Sequence, residues 1–340
     1  MVLFKKRCRI LPWNQDLACH MGYSLLGYSL APMSASHPLT LRTVLLLLIP
    51  PLLWAGNAVI GRMIAGLIPP ITLNFFRWVL AFALLLPLTH SVLRRNSPVW
   101  THWKRYAVLG LLGVGCYNSL LYLALQTSTP INVTLVGSSM PVFMLLVGAL
   151  FFQQTVRKRQ ITGALLSISG VLVVLCRGDW QALANVHLVL GDVFVLIATV
   201  CWSGYSWLLA RTQEPVEVRS NWANFLIAQM VFGLFWSAAF GGAEWAGLTG
   251  LDDAHILWSW PLIAAMIYVA VGPALLAYRC WGLGVQRAGP NVAGFFVNLV
   301  PVFTATLSAL LLGELPQLYH LMAFALIIGG IAVSSVRRKA

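Results

Sequence analysis

The sequence predicts an all-α polytopic membrane protein: ten transmembrane helices, built as two inverted-topology repeats of five, with both termini in the cytoplasm. Three observations predict it. The 340-residue chain is 59% hydrophobic and 9% charged, with a mean hydropathy of +0.81, whereas a soluble domain carries about a quarter charged residues. Its lysines and arginines gather on one side of the apolar runs. Its two halves match each other at a fixed offset.

A helix needs about 20 apolar residues to cross a bilayer. The segments that qualify are 43–66, 71–92, 106–126, 131–152, 160–176, 188–210, 221–240, 260–285, 290–312 and 319–336. Pro69-Pro70, Pro130, Gly289-Pro290 and Pro316 punctuate their joints, because proline cannot continue a helix and favours its first turn. Residues 1–41 mix Lys5, Lys6, Arg7 and Arg9 with scattered apolar residues, Pro12 and Asp16. They contain neither a span nor a compact signal-peptide core. The expectation there is a poorly ordered cytoplasmic tail, or a start of translation at Met33. The two repeats follow at 43–177 and 188–337.

Orientation follows from the basic residues. With the N-terminus inside, 18 of the 22 lysines and arginines fall in cytoplasmic segments, and only Arg177 falls in an outside loop. Arg62, Arg77 and Arg279 lie within spans. Such a bias places both termini in the cytoplasm. It also explains the net charge of +13 as an orientation signal, with no basic surface for nucleic acid. The six cysteines (Cys8, Cys19, Cys116, Cys176, Cys201, Cys280) show no paired spacing and read as small packing residues, neither disulfide frame nor metal site.

The repeat is specific. Pro130 matches Pro290 at an offset of 160, and the same offset joins Pro141-Val142-Phe143 to Pro301-Val302-Phe303, Gly170 to Gly330, and Arg177 to Arg337. Trp54-Ala55-Gly56 pairs with Trp202-Ser203-Gly204 at an offset of 148. An odd number of helices per half forces the second copy to enter from the opposite side. Inverted repeats of this kind build many secondary transporters, with the substrate near the midplane between them.

Trp54-Ala-Gly-Asn57, Phe75-Phe-Arg77, Pro130 with Pro141, Trp202, and the run Asn298-Leu-Val-Pro301-Val-Phe to Leu312-Gly313-Glu314 together resemble the EamA family of the drug/metabolite transporter superfamily. The likeness extends over 43–336. It implies a ten-helix transporter, often an exporter of amino acids or other metabolites, in the bacterial inner membrane. One departure is Gln153-Gln154, where the family often carries Glu at the end of its fourth span.

Polar and aromatic residues in mid-span need partners or a purpose. Trp54, Asn57 and Gly61 share one helix face, and Trp202 and Tyr205 repeat the spacing. The offset of 160 also relates Asn118 to Tyr278 and Ser138 to Asn298. These residues are the candidates for a central substrate cavity, with interhelical hydrogen bonding as the competing use. Arg62 and Arg279 can snorkel to the interfaces. Arg77, two turns into its span, serves either as a clamp for a substrate carboxylate or as a structural tie. Asp192 and Glu314 are the candidates for ion coupling, helix capping being the alternative.

Other classes fare worse. The seven histidines lie in loops, the tail or span edges, so no mid-membrane base serves Ser138 or Ser139. No HExxH motif and no Gly-Lys of a phosphate loop occur. The expected protein is therefore no enzyme and needs no cofactor. It meets a small-molecule substrate and the lipid bilayer, as a monomer or homodimer. An anion carrier of nucleotide-sugar or sugar-phosphate type is the rival within transport, and a non-transporting receptor or structural protein the rival outside it.

Overall fold

The computed structural model describes residues 39–64, 66–127, 133, 136–176, 179, 181, 189–211, 214–248, 255–312 and 318–335. The tail before residue 39, Glu314 and the Arg62 side chain lie outside what it describes. Among the described residues every regular element is helical. In chain order these are α1 (Leu41–Met63), α2 (Pro70–Thr89), α3 (Trp103–Gly110, continuing through Leu111–Cys116 and Tyr117–Thr127), α4 (Met140–Phe152) and α5 (Lys158–Leu175). Then follow α6 (Leu190–Ala210), α7 (Trp222–Trp245), α8 (Trp260–Val269, Ala270–Leu276 and Ala277–Ala288), α9 (Pro290–Val297 and Val300–Leu312) and α10 (Leu318–Ser335). One-turn helices at Pro98–Thr101 and Val216–Arg219 sit in connections.

Six of these, α1, α2, α3, α6, α7 and α8, are long and apolar enough to cross a membrane. The others are shorter within the described residues. The expected span at 290–312 is in two pieces, because the chain turns at Asn298-Leu299 before α9 restarts. The chain also turns at Ser138-Ser139 before α4. Both turns precede a proline, Pro141 or Pro301, at the second position of the new helix. A proline there has no N–H to offer the preceding turn. One cause, repeated at the offset of 160, accounts for both breaks.

Side chains close some of the helix starts. Asn221 accepts from the Ala223 amide at 2.9 Å and Ser259 from the Leu262 amide at 3.4 Å. The start of α2 is held by the end of α7: Glu244 accepts from the amides of Ile71 at 2.9 Å and Thr72 at 2.7 Å. The Thr72 hydroxyl donates to the same carboxylate and accepts from the Trp245 indole, at 2.7 and 2.8 Å. A carboxylate at a helix N-terminus meets both its free amides and the positive end of its dipole. Glu244 is 1% exposed, so this clasp is built into the packing of α2 on α7.

The helix contacts repeat between the halves. The α3–α6 contact has its counterpart in α8–α1, and α5 packs along α10. Small residues permit that last approach. A Cβ on Gly170 would stand 2.8 Å from the Ala323 carbonyl, and one on Gly330 would stand 2.6 Å from the Gly163 carbonyl. Adding 160 to Gly170 and to Gly163 gives Gly330 and Ala323, so the two contacts are one contact written twice. Gly330→Ala is therefore expected to destabilise the purified protein by about 1–3 kcal/mol, the usual cost of overpacking. The control is Gly329→Ala, whose added methyl meets nothing within 4 Å. Thermal unfolding in detergent checks the pair, with a lowered midpoint for the first variant alone.

Candidate substrate site

The site forms around two distorted helices. In α3 the stretch Leu111–Cys116 is wound as a π-helix, and in α8 so is Ala270–Leu276. Adding 160 to the first stretch gives 271–276, which falls within the second. A π turn disturbs the i→i+4 ladder, and side chains insert where it opens. The Tyr278 hydroxyl donates to the Gly113 carbonyl. The Trp54 indole donates to the Pro273 carbonyl at 3.4 Å. Gly113 and Pro273 occupy equivalent places in the two halves. The neighbouring Val114 carbonyl accepts from the Asn74 amide at 3.3 Å, and that amide also reaches Ser119 at 3.3 Å.

These bonds gather an aromatic cluster. Trp202 is its hub: its ring lies 5.2 Å from Trp54, 4.7 Å from Tyr117, 5.1 Å from Tyr205, 5.4 Å from Tyr278 and 5.6 Å from Trp281. Trp78 meets the Tyr278 ring edge-on at 4.9 Å. Gly113 makes room for Tyr205, whose ring would be 2.6 Å from any Cβ there. The Trp281 indole is anchored by Ser206 at 3.1 Å. Residues from α1, α2, α3, α6 and α8 thus meet, and both halves contribute.

Arg77 borders the cluster at 1% exposure. Its Nη1 reaches the Asn118 carbonyl oxygen at 3.4 Å and the Tyr122 hydroxyl at 3.5 Å, both neutral. The guanidinium stands 5.2 Å from the Trp78 ring centroid. Among the described residues no carboxylate pairs with it. Around it, Arg77 Nε, Trp78 Nε1, Asn118 Nδ2, Trp202 Nε1 and Asn74 Oδ1 are buried without a protein partner. Four are donors and one is an acceptor, beside a cation whose described partners are neutral. A ligand that completes this set brings negative charge and hydrogen-bond acceptors.

The residues singled out in the sequence therefore divide. Trp54, Trp202, Tyr205 and Tyr278 are brought together, and Arg77 and Asn118 adjoin them. Asn57 is half-buried on the same helix as Trp54. Asn298 stands apart: at the break in α9 its amide donates to Ser167 on α5 at 2.9 Å, a tie between helices. Ser138 is buried at the turn before α4. Asp192 caps α6, accepting from the Val189 amide at 2.8 Å. It also borders a largely apolar cavity of about 290 Å³ with Val136, Ser139 and Leu196. Arg279 lies 4.9 Å from the Trp222 ring, away from the cluster. Trp281, Trp78, Tyr117 and Asn74 escaped the sequence reading. Trp281 had a signal, three residues after Tyr278 and hence on the same face.

Six described helices long and apolar enough to cross a membrane, with a polar–aromatic cluster where the two halves meet, are the build of a multi-pass membrane protein. The sequence pattern of the EamA-like transporter family matches twice, over residues 41–176 and 189–336. The chain belongs to that family. An uncharacterized transporter of Archaeoglobus fulgidus is 23% identical over 297 residues, covering 87% of this chain and 98% of that protein. The aromatic amino acid exporter YddG of Ancylobacter novellus is 27% identical over 299 residues, covering 84% and 94%. A solved crystal structure shares the fold with a TM-score of 0.65, at 22% identity, over 86% of this chain and 95% of its own.

Tyr278→Phe removes the partner of the Gly113 carbonyl and leaves the ring in place. The expected loss is about 1–3 kcal/mol, the cost of an unsatisfied buried acceptor, seen as a lower unfolding midpoint in detergent.

Proposed function

We propose that the protein is a secondary transporter that exports small metabolites, amino acids or related compounds among them, across the inner membrane by alternating access. In this reading ten helices cross the membrane as two inverted repeats of five, and both termini are cytoplasmic. Support comes from the offset of 160, which recurs in the π turns, the breaks before Pro141 and Pro301, and the α5–α10 contacts. The double family match and the one-sided distribution of basic residues point the same way.

The observation that carries the substrate reading is Arg77: a buried guanidinium with neutral partners, beside unpaired donors and an aromatic cluster shared by both halves. A carboxylate is the planar acceptor that a guanidinium binds through two bonds, and stacked rings suit the apolar body of a small metabolite. The named exporter among the relatives fits this chemistry. Trp54, Asn57, Arg77, Asn118, Trp202, Tyr205 and Tyr278 are the proposed site. Ser138 and Asn298 stand at the two helix breaks, and broken helices expose backbone groups in transporters. Asp192 is the proposed coupling acid, with Glu314.

Arg77→Lys keeps the charge and loses the planar fork. It is expected to transport with a raised KM, whereas Arg77→Gln loses transport, both at normal protein level. If both variants fail to accumulate, Arg77 is a structural tie. If both transport normally, the site lies elsewhere. The topology is checked by impermeant thiol labelling of single cysteines, expected from outside at 66–70 and from inside at 94–104.

A further inference from the structure

A second cluster of charged groups lies away from the aromatic site, where α3 begins and α6 ends. Arg105, in the first turn of α3, donates from Nε to Glu214 at 2.6 Å. Its Nη2 donates to the carbonyls of Leu208 at 3.0 Å and Arg211 at 2.8 Å, the last turn of α6. Arg219 reaches the other Glu214 oxygen at 3.4 Å and donates to the Leu209 carbonyl at 2.6 Å. The Glu214 carboxylate is wholly buried, and the Arg105 side chain is 5% exposed. Burial lowers the pKa of Arg219, and Glu214 pushes it back up. The network joins the start of α3, the end of α6 and the connection leading to α7.

The equivalent place at the opposite end is joined by apolar side chains. There the connection after α1, the start of α2 and the start of α8 meet through Ile64, Ile68, Leu73, Leu262 and Ala265 in one cluster. One backbone bond, Leu257 to Leu67 at 2.8 Å, ties the two loops. The offset of 160 pairs Arg105 with Ala265. The equivalent contacts thus have unlike chemistry: an ion-pair network at one end, and at the other an apolar cluster beside the Glu244 clasp on α2.

We propose that Arg105, Glu214 and Arg219 form the cytoplasmic gate of the transporter, and that the Ile64–Ala265 cluster forms the outer one. This rests on the inverted-repeat reading above. An ionic closure is stable only while dry and fully paired, since ions released into water regain their hydration. Removing Glu214 leaves two buried guanidiniums without their shared carboxylate in the closed form and alters the open, hydrated form little. That difference between states shifts the population towards inward-open. An apolar closure has no such dependence on pairing. The unequal gates therefore set which side the empty protein faces, and Glu214 is the member that decides it.

The test uses the full chain with its own cysteines replaced and one cysteine added, probed by a charged, impermeant methanethiosulfonate from either face of oriented vesicles. Ser206→Cys, at 0% exposure, lies on α6 between the aromatic cluster and the gate. Gly61→Cys lies on α1, where an added side chain has open space. Adding Glu214→Gln is expected to speed labelling of the first from the cytoplasm by about tenfold or more and to slow labelling of the second from outside, as a population shift requires. Arg219→Gln keeps the Arg105–Glu214 pair, and is expected to move both rates in the same directions by less. Unchanged rates overturn the gate, and so do rates that rise on both faces, the mark of a loosened protein. If the unmodified network already gives each site the wrong face, the topology fails, and the gate falls with it.

Discussion

A backbone carbonyl inside a membrane needs a donor, and the π turns of α3 and α8 turn that requirement into architecture. Water is scarce there, and an unmatched carbonyl costs free energy that neighbouring side chains can remove. Tyr278 answers Gly113, and Trp54 answers Pro273. Each of those bonds crosses from one half of the chain to the other. Tyr278 and Trp54, two of the rings packed on Trp202, are therefore placed by the needs of the backbone; in the proposed function the cluster is also the surface that meets the ligand. Removing the distortion would remove the reason for their positions.

The same helices explain why the site is electrically incomplete. Arg77 is fixed by the α2 helix, which Glu244 clasps at its N-terminus, yet its own contacts are with neutral oxygens. Arg105, by contrast, is held by Glu214 and two carbonyls. The contrast is between an arginine paired with a carboxylate and one whose described partners are neutral; in the proposed function the second awaits the substrate. A transporter gains from the second kind, because a substrate that supplies the missing charge stabilises the state that holds it.

Much of this was legible in the sequence, for identifiable reasons. Apolar length and the placement of lysine and arginine follow directly from the bilayer, and they located the helices that meet the length criterion. The offset of 160 marked Pro141 with Pro301, and those prolines mark the helix breaks. Trp54 with Trp202 pointed at the cluster, because helical spacing carried the aromatic faces. Asn298 was selected for being polar in mid-span, but Ser167, which binds it, is 131 residues away, and no local pattern signals such a partner. Glu214 carries no local signal for the same reason, its partner Arg105 being 109 residues distant. The π turns have no signature beyond glycine and proline, so the carbonyls that organise the site were invisible.

In the proposed function, Arg77 binds a substrate carboxylate at the junction of the two halves. Equilibrium binding to the purified protein, across a panel of amino acids and their methyl esters, tests it most directly. Saturable binding of at least one free acid is expected, with binding of its ester weakened about tenfold or more by loss of a charge-assisted pair, and no such preference in Arg77→Gln. Equal binding of acid and ester to the unaltered protein would contradict it.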